Sequence, residues 1–141
     1  MQLYLDYDGV LADFDRGASA LLGMPPRIYE KRKRLGTFWR ELARHPHFYG
    51  SLPLMPDAML LFQAVRHLNP IILTGVPRGQ WATPQKIRWA GEHFPGTRII
   101  TVLAVKKRKH ARIATYWSTT SSTTLIYGKV RAAYSSIIMM R

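Results

Sequence analysis

Apolar and polar positions alternate and then recur at helical spacing along this chain, and the pattern divides it into elements. The opening "QLYLDYD" is apolar and β-rich and runs into Gly9, which predicts a buried strand followed by a turn. In "VLADFDRGASALLG" Leu11, Phe14, Ala18 and Leu22 share one helical face, and Gly23 with Pro25 and Pro26 stops the helix. "RIYEKRKRLGTFWRELARHPHFYGSLPLMP" is basic and aromatic and predicts short helices. "DAMLLFQAVRHL" reads as an amphipathic helix capped by Asp57, and "TPQKIRWAGEHF" as a third helix with Thr83 as N-cap and Pro84 at its first position. "PIILTG" and "RIITVLAV" are continuous apolar runs that predict two more buried strands. Strands alternating with helices imply an α/β fold with a mostly parallel sheet.

At 141 residues the chain suits one domain with a real core. Four Trp, seven Tyr and five Phe argue against disorder. No apolar run reaches the ~20 residues that span a bilayer, and the first residues run straight into acids, unlike a signal peptide. Cysteine is absent, which excludes disulfides and thiolate metal sites. A cytoplasmic protein without a membrane partner is the expectation.

The formal charge of +13 points to a polyanion partner, but its distribution weakens that reading. Residues 1–92 hold all eight acids against twelve Lys or Arg, a net of +4, while residues 93–141 hold nine Lys or Arg and no acid. Four of the eight acids, Asp6, Asp8, Asp13 and Asp15, fall within ten positions.

In open parallel sheets ligands sit at the carboxyl ends of the strands. Asp6 and Asp8 end the first strand, and Thr74 and Gly75 the second. Two carboxylates side by side repel unless a cation lies between them, and Mg²⁺ suits carboxylate, water and phosphate oxygens. One carboxylate can attack phosphorus while the other transfers protons. Gly9 lets backbone N–H groups approach a phosphate. Asp13 and Asp15 read as a helix-start charge pattern rather than as ligands.

These residues carry a resemblance. "DYDGVLADFD" resembles motif I of the haloacid dehalogenase (HAD) superfamily, and "IILTG" its motif II. The string "FWRELARHPHFYGSLPLMPDA", with "ILTGVPRGQWATPQKIRWAGEHFPG" further on, is similar to phosphatases of the 5′(3′)-deoxyribonucleotidase kind, and the match covers roughly the first three-quarters of the chain. The resemblance implies a HAD-like Rossmannoid three-layer parallel sheet in one domain, with residues 16–55 as a small helical cap. It implies Asp6 as nucleophile and Mg²⁺ ligand, Asp8 as general acid/base and, through its carbonyl, a second metal ligand, and Thr74 and Gly75 at the phosphoryl group. It calls for a further phosphate-binding lysine. Lys107 is the first choice, Lys106 and Lys109 are rivals, and Lys86 is another candidate, although a helix-surface lysine is usually only solvated. Phe38, Trp39, Phe48 and Tyr49 are offered as rings that stack on a nucleobase, against the plainer reading that most of them pack the cap. The implied substrate is a nucleotide or similar small phosphomonoester.

The resemblance fails in the last quarter of the chain, which has no acid, Glu92 being the last one. The family requires a strand ending in two more acids, and this chain has "ATYWSTTSSTTLIYGKV" there. Read from the third base of each codon, "YWSTT" permits Leu-Val-Asp-Asp. Residues 111–141 are therefore read as an atypical, frameshifted tail not selected to pack on the sheet and expected to pack poorly, leaving the fold incomplete and the activity impaired. The competing class is a non-catalytic basic nucleic-acid-binding module, with basic clusters at residues 31–34 and 106–112.

Overall fold

The computed structural model describes residues 2–104 and 137–140. Its first strand, β1 (Gln2–Leu5), is followed by α1 (Phe14–Leu22), α2 (Pro26–Arg32) and α3 (Leu35–Ala43), then a 3₁₀ turn at Tyr49–Ser51. α4 (Ala58–Val65) and a 3₁₀ turn at Arg66–Leu68 lead into β2 (Ile71–Val76), α5 (Ala82–His93) and β3 (Ile99–Leu103), and β4 is Ile137–Met140. The sheet order is β3-β2-β1-β4. β1, β2 and β3 are parallel, with Leu5 beside Ile72 and Thr74 beside Thr101. The chain is thus a mixed α/β structure built on a small three-stranded parallel sheet.

The alternation that predicts β1 continues past its end. Leu3, Leu5 and Tyr7 are buried, while Gln2, Tyr4, Asp6 and Asp8 between them are partly exposed. β2 has less alternation, with Ile72, Leu73, Thr74 and Val76 all buried, as expected of a strand covered on both faces. The core runs from these strands through Leu11, Phe38, Leu42, Tyr49 and Phe62 to Trp89 and Phe94. Trp89 is fully buried, and its indole Nε1 donates to the Leu52 carbonyl at 2.8 Å. Burying an indole removes roughly 150–250 Å² from water, about 4–6 kcal/mol as an upper figure.

Several expected boundaries move. α1 begins at Phe14, with Asp13 as N-cap accepting from Arg16 N at 3.0 Å and Asp15 in the first turn. Asp13 and Asp15 therefore serve the helix start, and Gly23 closes the helix in a left-handed conformation. Asp57 occupies the N-cap of α4 but makes no side-chain capping bond. α5 starts two residues before Pro84, with Trp81 rather than Thr83 as N-cap. Proline is tolerated there because the first four N–H groups of a helix lack intrahelical acceptors. β2 extends to Val76, so Thr74 and Gly75 lie just inside its end.

Within the segment expected to pack poorly, residues 111–141, one short run joins the sheet as β4. Ile137–Met140 runs antiparallel along β1, with Gln2 beside Met140 and Leu5 beside Ile137. An open strand edge pairs through its backbone, and a short apolar run meets that demand without any further motif. Residues 105–136, which carry Lys106, Lys107, Lys109 and the Tyr-Trp-Ser-Thr-Thr segment, lie outside the described residues. Among the described residues no helix is long and apolar enough to cross a membrane.

Two helical glycines should respond oppositely to alanine. A Cβ on Gly91 in α5 would meet nothing within 4 Å, so Gly91→Ala should raise stability by about 0.5–1 kcal/mol. A Cβ on Gly17 in α1 would collide with the buried Leu52 side chain, so Gly17→Ala should lower stability despite the same gain in helix propensity. Urea midpoints of the two variants shifting in the same direction would contradict this packing.

Candidate functional site

Beyond β1 the chain turns on the carbonyl of Tyr7, which accepts from Leu11 N at 3.1 Å and Ala12 N at 2.9 Å. Gly9 makes the turn possible with φ of 77°, a left-handed conformation that side chains disfavour. Its N–H donates to Ala12 O at 2.8 Å. Residues 53–55 then lie along this loop, with Asp13 N bonded to Pro53 O and Met55 N to Leu11 O, both at 2.8 Å. The loop that carries Asp6 and Asp8 is held from both sides.

The parallel register of β1 and β2 brings the residues after Leu5 and those after Leu73 to the same carboxyl end of the sheet. Lys86 reaches this end from α5. Its side chain is fully buried, and Nζ donates to Asp8 Oδ2 at 2.6 Å, Thr74 Oγ1 at 2.9 Å and the Gly75 carbonyl at 3.0 Å. An ammonium has three protons, and these three acceptors match them. The ammonium also stands 4.6 Å from the centroid of the Tyr7 ring and 4.4 Å from that of Tyr49. Ring quadrupoles attract a cation in this position, more strongly where water is excluded.

Lys86 is therefore not a solvated helix-surface lysine. Ala82, Lys86, Trp89 and Ala90 are the buried residues of α5, and their spacing is a helical stripe. The stripe is present in the sequence as a lysine standing among small and aromatic residues. Of the lysines considered, Lys86 is brought to Asp8 and Thr74, while Lys106, Lys107 and Lys109 fall outside the described residues.

Asp6 and Asp8 differ in setting. Asp6 Oδ1 accepts from the N–H of Tyr7 at 2.7 Å, and its residue is partly exposed. The Asp8 side chain is one-third exposed (33%) and shares an ion pair with the buried lysine. Thr74 is completely buried, and its hydroxyl, which accepts from Lys86, donates to Gly75 O at 3.3 Å.

Tyr7 and Tyr49 are the members of this cluster whose place the chemistry-bearing motifs do not suggest. Tyr7 Oη donates to the Tyr49 carbonyl at 3.1 Å, and Tyr49 N donates to Gln85 Oε1 at 2.8 Å. Burial, and next the negative charge of Asp8, displaces the ionisation of both phenols far upward. Phe38 and Phe48 are likewise buried and join Phe14 edge to face, at 6.4 and 5.6 Å between centroids. Of the four rings offered for nucleobase stacking, Phe38, Phe48 and Tyr49 are thus core residues, because each ring's faces are spent on neighbouring rings. Trp39 alone of the four keeps partial exposure.

The donors available to a metal here are hard oxygens, the Asp6 carboxylate and the Asp8 carbonyl, which fit Mg²⁺ when water and a phosphate complete the shell. Among the described residues no three His, Cys, Asp or Glu side chains gather at one point. No protein-family model matches the chain, and no curated protein matches it.

The ion pair is asymmetric, and its removal should be too. Asp8→Ala strands a fully buried ammonium and should cost about 3–5 kcal/mol. Lys86→Met leaves a carboxylate that water can partly reach and should cost less, and the double variant should recover stability relative to Asp8→Ala. Additive losses in chemical denaturation would exclude this coupling.

The tyrosines predict an alkaline limb. A phenol whose folded-state ionisation is displaced upward supports the fold below the ordinary tyrosine pKa of about 10. It loses that support as pH rises further, because only the unfolded chain then releases the proton. Tyr49→Phe should accordingly lose less stability than the parent between about pH 10 and 12. Denaturation midpoints that fall equally steeply in both proteins would count against a buried, neutral Tyr49.

Proposed function

We propose that this protein is a HAD-like, Mg²⁺-dependent phosphohydrolase that acts on a nucleotide or similar small phosphomonoester, with turnover limited by the lack of any acid after Glu92. The observation that supports it best is the meeting of the motif-I loop, Asp6-Tyr7-Asp8-Gly9, with Thr74 and a buried lysine at the carboxyl end of a parallel sheet. A structural ion pair alone would not call for a second carboxylate two residues away, a left-handed glycine and a threonine hydroxyl in the same place.

In this reading Asp6 attacks phosphorus. The phosphorus–oxygen bond to the leaving group breaks, and Asp8, which enters this step protonated rather than as the carboxylate of the resting ion pair, gives its proton to the leaving oxygen. Water then attacks the aspartyl phosphate, gives its proton to Asp8, and releases phosphate and the free Asp6 carboxylate. The Asp6 carboxylate and the Asp8 carbonyl would hold Mg²⁺, which would neutralise charge on the phosphoryl oxygens. Lys86 fixes Asp8 and Thr74 relative to each other. All three of its protons have acceptors within the protein, so a phosphate gains a bond from Lys86 only by displacing one of them. Lys107 is retained as a further phosphate ligand in this proposal. Trp39 is the cap ring with surface to offer a base, whereas the basic run at residues 31–34 supports a weaker second reading as a nucleic-acid-binding surface.

Purified protein with Mg²⁺ should release phosphate from nucleoside monophosphates, and Asp6→Asn should abolish the release, because an amide does not attack phosphorus. Asp8→Asn should spare activated phenyl phosphates more than alkyl ones, since a good leaving group needs no proton. Release that persists in Asp6→Asn, with contaminants removed, would defeat the proposal; salt-sensitive duplex DNA binding without any hydrolysis would favour the second reading.

A further inference from the structure

Residues 16–55 hold eight Lys or Arg against two Glu, a net of +6, and all eight cations are exposed. Four of them are consecutive. Lys31 and Arg32 end α2, Lys33 and Arg34 continue in extended conformation with ψ of 158° and 146°, and α3 follows at Leu35. Tyr29 O accepts from Lys33 N and Arg34 O from Thr37 N, both at 2.8 Å, so the backbone of this corner is fixed while its charged side chains stand in water. Among the described residues Arg44 pairs with Glu41, and no carboxylate pairs with any of Lys31, Arg32, Lys33 and Arg34.

Adjacent like charges repel, and a substrate with a single phosphate relieves little of that repulsion. A nucleoside monophosphate brings about two negative charges, which Mg²⁺ at Asp6 would already offset. A run of phosphodiesters brings one charge per nucleotide and releases its counterions as protein cations take their place. The same two helices carry rings that keep partial exposure, Tyr29 on α2 and Trp39 on α3, packed on Phe38 at 6.1 and 4.9 Å between centroids. Cations beside exposed ring surface suit a single strand, whose unpaired bases stack. Phe38 stands one turn of α3 beyond Arg34, and from it the rings of Phe14 and Tyr49 lead to the Lys86 ammonium in steps of 6.4, 6.2 and 4.4 Å. The corner is thus within a few nucleotides of the carboxylate end of the sheet.

We propose that the α2–α3 corner holds the backbone of a single-stranded nucleic acid, so that the substrate of the Asp6 site is the terminal phosphate of a strand rather than a free nucleotide. The inference rests on the phosphohydrolase reading for its chemistry, and it makes the basic run a part of that function instead of its competitor. The terminal phosphoryl group passes to Asp6, the strand leaves with a hydroxyl whose proton comes from Asp8, and water then releases inorganic phosphate.

The test uses the full chain and a fluorescein-labelled oligothymidylate of about twelve nucleotides without a terminal phosphate, so that anisotropy reads binding without turnover. With four phosphate contacts releasing ~0.7 counterion each, affinity should fall roughly fiftyfold between about 50 and 200 mM salt. Arg32→Gln, Lys33→Gln and Arg34→Gln together should weaken binding about tenfold or more and flatten the salt dependence. Arg66→Gln, Arg88→Gln and Arg98→Gln remove the same charge from exposed positions outside residues 16–55 and should weaken it far less. Circular dichroism confirms folding of both variants. For turnover, the same strand with a 5′- or a 3′-phosphate is compared with thymidine 5′- and 3′-monophosphate. One of the phosphorylated strands should show a kcat/KM about tenfold or more above that of the free nucleotide, and the Arg32, Lys33 and Arg34 variant should lose this preference. The proposal is overturned by no strand binding, by equal loss in the two triple variants, by tighter binding to phosphatidylglycerol vesicles than to the strand, or by equal kcat/KM for strand and free nucleotide. Strand binding without hydrolysis of any phosphate defeats it together with the phosphohydrolase reading, whereas hydrolysis of free nucleotide without strand binding defeats this inference alone.

Discussion

The buried ammonium of Lys86 is the constraint around which the described part of this protein is arranged. A charge with no exposure to water needs a counter-charge, full hydrogen bonding and a polarisable surround, and the chain supplies each from a different element. Asp8 comes from the loop after β1, Thr74 and Gly75 from β2, and the rings from Tyr7 and the 3₁₀ turn at Tyr49. Removing the charge would spare the fold this demand, since well-packed apolar side chains serve a core at least as well. The buried charge at the carboxyl end of the parallel sheet thus ties three elements together without being required for their packing.

The demand also fixes the 3₁₀ turn at Tyr49–Ser51. Tyr49 faces the ammonium only because Gln85, one residue before Lys86, holds the Tyr49 N–H, and because Tyr7 Oη holds the Tyr49 carbonyl. α5 is in turn seated by Trp89, whose indole bonds Leu52 and whose ring meets that of Tyr7 edge on at 4.7 Å. Loop, 3₁₀ turn and helix thus share one aromatic cluster, and the carboxylate loop cannot shift without disturbing it.

Much of this is legible in the sequence where a single physical signal decides the outcome. Continuous apolar runs mark β2 and β3, and the turn residues after "LYLDYD" mark the loop that carries the two acids. Asp13 reads as a helix-start residue from its position before an apolar face, and it caps α1. Signals that depend on what lies opposite in space are harder to read. Lys86 looks like a surface residue because lysine is seldom buried without a partner, and its partner is far along the chain. The apolar stripe on which it stands, Ala82, Trp89 and Ala90, holds the contrary signal. Phe38 and Phe48 look like stacking rings because aromatic residues near a basic stretch suit both a core and a ligand, and only the positions of Phe14 and Tyr49 decide between them. β4 escapes the sequence pattern because four apolar residues carry no mark of the edge they will join.

One helix links the two ends of the sheet. Lys86 belongs to the carboxylate end, while His93, seven residues further along α5, lies at the opposite end near Pro70 and Arg98. At a rise of 1.5 Å per residue they are about 10 Å apart on a rigid rod. Trp89 lies between them, bonded by its carbonyl to His93 and packed by its ring on Tyr7. His93 is thus stacked against the same indole that seats Tyr7 beside the ammonium. The packing seats α5 through its buried stripe, whereas Ile87, Arg88 and Gly91 on its outer face are exposed and lie outside that constraint.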